Sequence, residues 1–79
     1  MVKEVIWTEQ AAKDFRQVLN FLNTEWNSVI AEEFYNRVFW IIDLLIDFPE
    51  MGILIKQRLR KRKILITRFN YLVYQENNN

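Results

Sequence analysis

Residues 63–74, which read KILITRFNYLVY, decide the fold class of this chain. The two ends of this stretch, residues 63–67 and 71–74, are rich in β-branched and aromatic side chains, which favour strands. A tight turn at residues 68–70 separates them. The stretch therefore predicts a β-hairpin near the end of the chain.

The strand pattern is less clear on the amino-terminal side of this hairpin. Residues 53–59 fit a further short strand or a loop, and the pattern does not choose between the two. Within the hairpin, Tyr71 and Tyr74 have opposite parity along their strand. We therefore expect one tyrosine in the core and the other on the exposed face of the sheet.

A helical pattern lies further upstream. Apolar residues recur at three-and-four spacing from Ala11 to Trp26, which is typical of one buried helix face. This spacing predicts a first helix over residues 9–25, with Thr8 as its N-terminal cap. Before it, the apolar residues within 2–7 predict a short first strand.

A second helix is predicted from the next set of apolar residues, which recur at three or four positions over residues 30–48. Asn27 or Ser28 is suited to cap its start, and Pro49 and Gly52 end it. The short connection between the two helices predicts a helical hairpin. The fold class is thus α+β, in the order β-α-α-β-β, with the hairpin packed on one face of a small antiparallel sheet.

The length of 79 residues predicts a single domain, which we place at residues 1–76. Residues 77–79 have the composition of a turn, so a final strand beyond them is expected to be missing. The chain has no long apolar stretch at its N-terminus and no segment long enough to span a bilayer. We therefore expect a cytoplasmic protein without membrane contact.

Two residue types are absent from the composition. Without cysteine the chain forms no disulfide and has no thiolate nucleophile, and without histidine it lacks the commonest general base. Carboxylates, lysine, arginine and tyrosine remain as candidates for proton transfer. No metal site and no cofactor are predicted.

The basic residues are concentrated in one segment. Residues 56–68 hold seven of the eleven lysines and arginines and no acidic residue. One interpretation is a solvated loop and edge strand that charge protects from aggregation. The other is contact with a polyanion or an acidic protein partner. The members of this basic cluster are Lys56, Arg58, Arg60, Lys61, Arg62, Lys63 and Arg68.

The second helix has apolar residues outside its main core stripe. Trp40 shares a stripe with Asp43 and Asp47, so it lies on the polar side, either over neighbouring apolar residues or as an anchor for a partner. Phe39 and Ile42 are also off the main stripe. Either the first helix and the sheet cover this surface, or a partner protein or a second copy of the chain does, which makes a homodimer one alternative.

Particular residues recur in a fixed order along the chain, and a leucine-rich helix end leads into a Pro-x-x-Gly segment, an Arg-led strand and a Tyr-containing hairpin. These residues are Trp7, Thr8, Ala11, Phe15, Trp26, Ala31, Phe34, Leu44, Leu45, Phe48, Pro49, Gly52, Arg62 and residues 69–74. This order resembles the RelE/ParE superfamily of type II toxin–antitoxin systems, and it is closer to the ParE-like branch.

This resemblance implies a bacterial toxin that arrests growth, has a role in plasmid stabilisation and is neutralised by a cognate antitoxin. ParE-like members bind DNA gyrase, whereas RelE-like members cut mRNA on the ribosome, and the shared fold does not choose between them. The expected ParE-like function is binding of a protein target. The alternatives are a ribosome-dependent endoribonuclease and an inactive remnant that binds antitoxin.

Each alternative has its own candidate residues. For a nuclease, the resemblance and the lack of histidine point to Lys56, Arg58, Arg62 and Tyr74. For partner binding, the candidates combine the apolar helix surface with the basic cluster. They are Trp40, Phe39, Ile42, Lys56, Arg58, Arg60, Arg62 and Arg68.

Overall fold

The computed structural model describes residues 5–76. These residues form two helices, α1 (Glu9–Glu25) and α2 (Ser28–Asp47), followed by three strands, β1 (Ile53–Lys56), β2 (Lys61–Thr67) and β3 (Asn70–Gln75). The α+β class is confirmed. By its internal contacts the chain divides between residues 40 and 41 into two compact units.

Helix α1 has the predicted bounds because its start is capped as predicted. Thr8 is extended, with φ −72° and ψ 159°, and its Oγ1 accepts a hydrogen bond from the backbone N–H of Ala11. This bond, of 3.0 Å, satisfies a donor that has no partner within the helix. At the other end, the N–H of Trp26 donates to the carbonyl of Leu22.

The prediction of a first strand is wrong for the residues that the structure describes. Val5, Ile6 and Trp7 lie in no strand, and residues 2–4 of that prediction lie outside the described residues. The Trp7 ring instead packs on two phenylalanine rings, with centroid distances of 5.3 Å to Phe15 and 5.9 Å to Phe39. The predicted turn at 77–79 also lies outside the described residues.

Helix α2 is capped at its start by Asn27, one of the two residues predicted for this role. The N–H of Ile30 donates to Oδ1 of Asn27 at 2.9 Å. The helix ends at Asp47, as expected two residues before Pro49, since the residue preceding a proline disfavours the helical conformation.

Aromatic side chains join the two helices within the first unit, residues 1–40. The Phe15 ring of α1 lies 6.1 Å from that of Phe34 and 5.9 Å from that of Phe39 on α2. Phe34 and Val38 are buried. These contacts confirm the helical hairpin. Neither helix combines the length and the apolar character that crossing a membrane requires.

The second unit contains the antiparallel sheet, in the order β1-β2-β3. The undecided segment is a strand over Ile53–Lys56 and a turn over residues 57–60. The described order is therefore α-α-β-β-β. Residues 53–56 form a strand because Ile53 and Leu54 pair with β2. The sequence did not decide this segment because the pairing depends on residues distant in the sequence.

Strand parity gives β2 and β3 one covered face and one open face. The covered face consists of Arg62, Ile64, Ile66, Leu72 and Tyr74, which are buried or half-buried. On the opposite side, Lys63, Leu65, Tyr71 and Val73 are exposed. The prediction that Tyr71 and Tyr74 lie on opposite faces is confirmed, and Tyr74 is the inner one.

Candidate functional site

Residues 48–52 connect α2 to β1, and two side chains of the covered face hold this connection in place. The connection turns back on itself, with the N–H of Met51 donating to the carbonyl of Phe48 at 3.1 Å. Such irregular backbone leaves polar groups that need partners outside a helix or sheet. Tyr74 and Arg62 supply them.

Tyr74 uses its hydroxyl both as a donor and as an acceptor. It donates to the carbonyl of Pro49 at 2.6 Å and accepts from the N–H of Gly52 at 3.0 Å. Both partners are backbone groups more than twenty residues earlier in the chain. The hydroxyl thus ties the final strand to the start of the sheet.

Arg62 binds the same connection from the neighbouring strand. Its Nη1 donates to the carbonyl of Gly52 at 2.8 Å and to that of Glu50 at 3.2 Å. Its Nε lies 3.5 Å from Oε2 of Glu76, an ion pair in which both side chains are less than one-fifth exposed. Nε itself makes no hydrogen bond with the described residues. Arg62 and Tyr74 are directly opposite each other in the β2–β3 register, so they act on the connection side by side.

Gly52 is the only glycine of the chain, and it is required here because its backbone packs closely against Tyr74 and Lys63. A Cβ atom at this position would lie 2.7 Å from the Tyr74 hydroxyl oxygen and 2.8 Å from the carbonyl oxygen of Lys63. The second contact is with backbone, which cannot move aside cheaply. The sequence indicated Gly52 as the end of a helix and as part of a Pro-x-x-Gly segment, and the close packing at this position emerged only from the structure.

The basic cluster does not form one surface. Arg62 points to the covered face, while Lys61 and Lys63 alternate with it and point to the open face. Arg58 and Arg60 are exposed in the β1–β2 turn, where Arg60 has a left-handed backbone with φ 53°. Arg68 is exposed in the β2–β3 turn.

The four residues predicted for a nuclease are therefore not brought together on one face. Arg62 and Tyr74 are neighbours on the covered face and bind backbone. Lys56 is opposite Lys61, so it shares the open face, and Arg58 lies in the exposed turn. Glu76, which pairs with Arg62, was not among the predicted residues, since nothing in the sequence pattern linked the two.

The three apolar candidates for partner binding differ in exposure. Trp40 is 59% exposed, whereas Ile42 is only 9% exposed. Phe39 is half-buried, with its ring 4.8 Å from that of Tyr35 and 5.9 Å from that of Phe15. Of the three, Trp40 presents the largest free surface.

No group of three or more acidic side chains within residues 5–76 is arranged to hold a metal ion. No curated protein and no solved structure matches the chain. A family model described as the ParE toxin of the type II toxin–antitoxin system, parDE, matches residues 5–79. This match extends over nearly the whole sequence, including both helices and all three strands. The chain therefore belongs to the ParE toxin family of type II toxin–antitoxin systems.

Proposed function

We propose that this chain arrests growth by binding a protein target, DNA gyrase, and that a cognate antitoxin neutralises it by binding to it. Membership of the ParE toxin family supports the proposal and implies the antitoxin partner. We further propose that residues 1–76 act as one toxin domain and that the protein works in the cytoplasm, where gyrase and its DNA are located.

The observation that carries binding over catalysis is the use of Tyr74 and Arg62. A general acid must give its proton to the substrate, but the Tyr74 hydroxyl donates to the Pro49 carbonyl at 2.6 Å. A cation that stabilises a reacting phosphate must present its donors to the substrate, but Nη1 of Arg62 binds two backbone carbonyls and its Nε is buried beside the Glu76 carboxylate. Both side chains are therefore assigned to holding residues 49–52.

A pair of assays on the purified chain tests this proposal. In a gyrase supercoiling reaction we expect the protein to inhibit supercoiling or to trap cleaved DNA. In a reconstituted translation reaction, primer extension on the mRNA should show no new ends. Cuts within ribosome-bound codons, together with unaffected supercoiling, would overturn the proposal in favour of the nuclease.

The antitoxin part of the proposal is tested separately. Co-expression with the antitoxin should give a complex that elutes as one species and has lost the gyrase effect. Our candidates for its contact surface are Trp40 with Phe39 and Ile42, and the exposed basic residues Lys56, Arg58, Arg60 and Arg68. A complex that still inhibits gyrase fully would contradict neutralisation by direct binding.

A further inference from the structure

The open side of the sheet extends across all three strands. By register, Ile53 lies opposite Lys63, which lies opposite Val73, while Leu65 lies opposite Tyr71. Residues directly opposite each other point to the same side of a sheet. We define the open sheet face as Ile53, Lys56, Lys61, Lys63, Leu65, Tyr71, Val73 and Gln75.

This face is apolar at one end and cationic at the other. Ile53, Leu65 and Tyr71 are 68%, 66% and 59% exposed. Lys56 and Lys61 are directly opposite each other, and like charges in this position are destabilising. Neither they nor Lys63 has a carboxylate partner among the described residues. The face thus carries a charge arrangement that an anionic ligand would relieve.

Cations and exposed rings are interleaved on and beside this face. The Lys63 ammonium lies 5.4 Å from the centre of the Tyr71 ring. At the neighbouring turn, the Arg68 guanidinium lies 4.9 Å from the centre of the Phe69 ring, which is 80% exposed. Aromatic rings accept stacked bases, and cations beside them meet the phosphates of the same strand.

The Tyr71 ring also borders a depression of about 400 Å³. Its volume is in the range of pockets that hold small organic ligands, roughly 300–1,000 Å³. The depression is lined by Met51, Gly52, Ile53, Lys63, Ile64, Leu65 and Tyr71.

We propose that the open sheet face binds single-stranded nucleic acid, with phosphates at Lys56, Lys61 and Lys63 and a base stacked on Tyr71. Lys61 and Lys63 are two residues apart on one strand, which separates them by about 7 Å along the strand. They can therefore contact phosphates of a nucleic-acid strand that runs along β2. The proposal rests on the open sheet face alone, and none of its residues has been assigned to gyrase, so nucleic-acid binding and gyrase inhibition are separate activities. Loss of one activity without the other is therefore measurable. Of its cations, Lys56 is also a candidate for the antitoxin contact.

The test is fluorescence anisotropy with a labelled oligodeoxythymidine of about ten nucleotides, within the usual site sizes of single-strand binding folds. We expect binding that weakens steeply with salt, because phosphate contacts release counterions. Lys61→Gln should lower the affinity and flatten the salt dependence. Lys13→Gln, which removes the same charge from an exposed position of α1, should change neither.

Tyr71 separates base stacking from charge. Tyr71→Ala should weaken binding about tenfold at an unchanged salt slope, since stacking on one ring contributes roughly 1–3 kcal/mol per base. Tyr71→Phe keeps the ring and should bind as the original chain does. Circular dichroism of each variant confirms that the fold is retained.

Three competitors define what would overturn the proposal. If the site makes no contact that depends on the sugar, unlabelled oligouridine should compete as well as oligodeoxythymidine does. A preference for one of the two assigns the ligand as RNA or DNA. Equal competition by a duplex of the same length would reduce the site to a general polyanion surface. Equal competition by polyglutamate would assign the face to an acidic protein, and no binding at low salt would reject the site.

Discussion

Tyr74 is the residue on which the local structure around residues 49–52 depends most directly. Tyr74→Phe keeps the ring but leaves the Pro49 carbonyl and the Gly52 N–H without their partner. We expect a loss of about 1–3 kcal/mol in the free energy of unfolding, the usual cost of leaving a buried polar group unsatisfied. Urea denaturation followed by circular dichroism measures it.

Tyr71 provides the matched control for this change. It lies on the same strand but on the open sheet face, 59% exposed, so Tyr71→Phe should shift stability by less than about 0.5 kcal/mol. Equal midpoints for the two variants would show that the Tyr74 hydroxyl does not hold the connection.

Arg60 is the one residue within 5–76 that has a left-handed backbone. A Cβ atom costs roughly 1–2 kcal/mol in this conformation, and glycine avoids that cost. Arg60→Gly should therefore be more stable than Arg60→Ala by about 1 kcal/mol, after the larger unfolded-state entropy of glycine is included. Because both variants remove the same charge, the comparison isolates the backbone. A more stable alanine variant would contradict the left-handed turn.

Trp40 tests partner binding at the level of one side chain. Trp40→Ala should weaken antitoxin binding by more than about 1 kcal/mol if this exposed ring is an anchor, as exposed tryptophans at interfaces often are. Trp26→Ala is the control, since Trp26 is 68% exposed at the end of α1 and is not assigned to the interface. Isothermal titration calorimetry compares them, and an unchanged affinity for Trp40→Ala removes it from the contact surface.

At the scale of elements, the contribution of a helix cap to stability can be measured by comparing two asparagines, one at a cap and one inside a helix. Asn27→Ala removes the acceptor of the Ile30 N–H and should lower the free energy of unfolding by about 1 kcal/mol. Asn23→Ala, inside α1 and exposed, should instead raise it by a few tenths of a kcal/mol, because alanine is the better helix former. Thermal unfolding by circular dichroism gives both values. The same sign for the two changes would contradict Asn27 as a cap.

The helices were predictable because their signals are local. The bounds of α1 follow from the apolar spacing and the Thr8 cap, both readable within a few residues. Strand β1 was undecided because its formation depends on pairing with β2, about ten residues away. The first strand was predicted wrongly at residues 5–7, where the Trp7 side chain is accommodated by ring packing instead of strand pairing.

The sequence named two residues of the candidate site without the contacts they make. Arg62 and Tyr74 were selected from the family resemblance and the lack of histidine, and the structure brings these two together. Their partners, however, are backbone atoms of residues 49–52. The pattern of side chains along a sequence does not show which backbone carbonyls lack a partner after folding. The sequence therefore could not distinguish a structural role of Arg62 and Tyr74 from a catalytic one.

At the scale of the whole molecule, the uneven charge makes stability depend on salt. Seven of the eleven basic residues lie within residues 56–68, and Lys56 is opposite Lys61. Salt screens this repulsion, so the urea midpoint should rise between low and physiological ionic strength. Lys61→Gln should reduce that rise, whereas Lys13→Gln should not. A midpoint that falls with salt would show that attractive ion pairs dominate instead.

The close approach at Gly52 has a consequence for genetic studies of growth arrest. Cells that escape a toxin carry whatever substitution inactivates it, and a side chain at Gly52 meets the Lys63 backbone regardless of the toxin's target. Escape mutants should therefore accumulate at Gly52, Arg62 and Tyr74 even though none of these needs to touch the toxin's target. A map of escape positions will reveal the target surface only after variants with reduced cellular abundance have been removed from it.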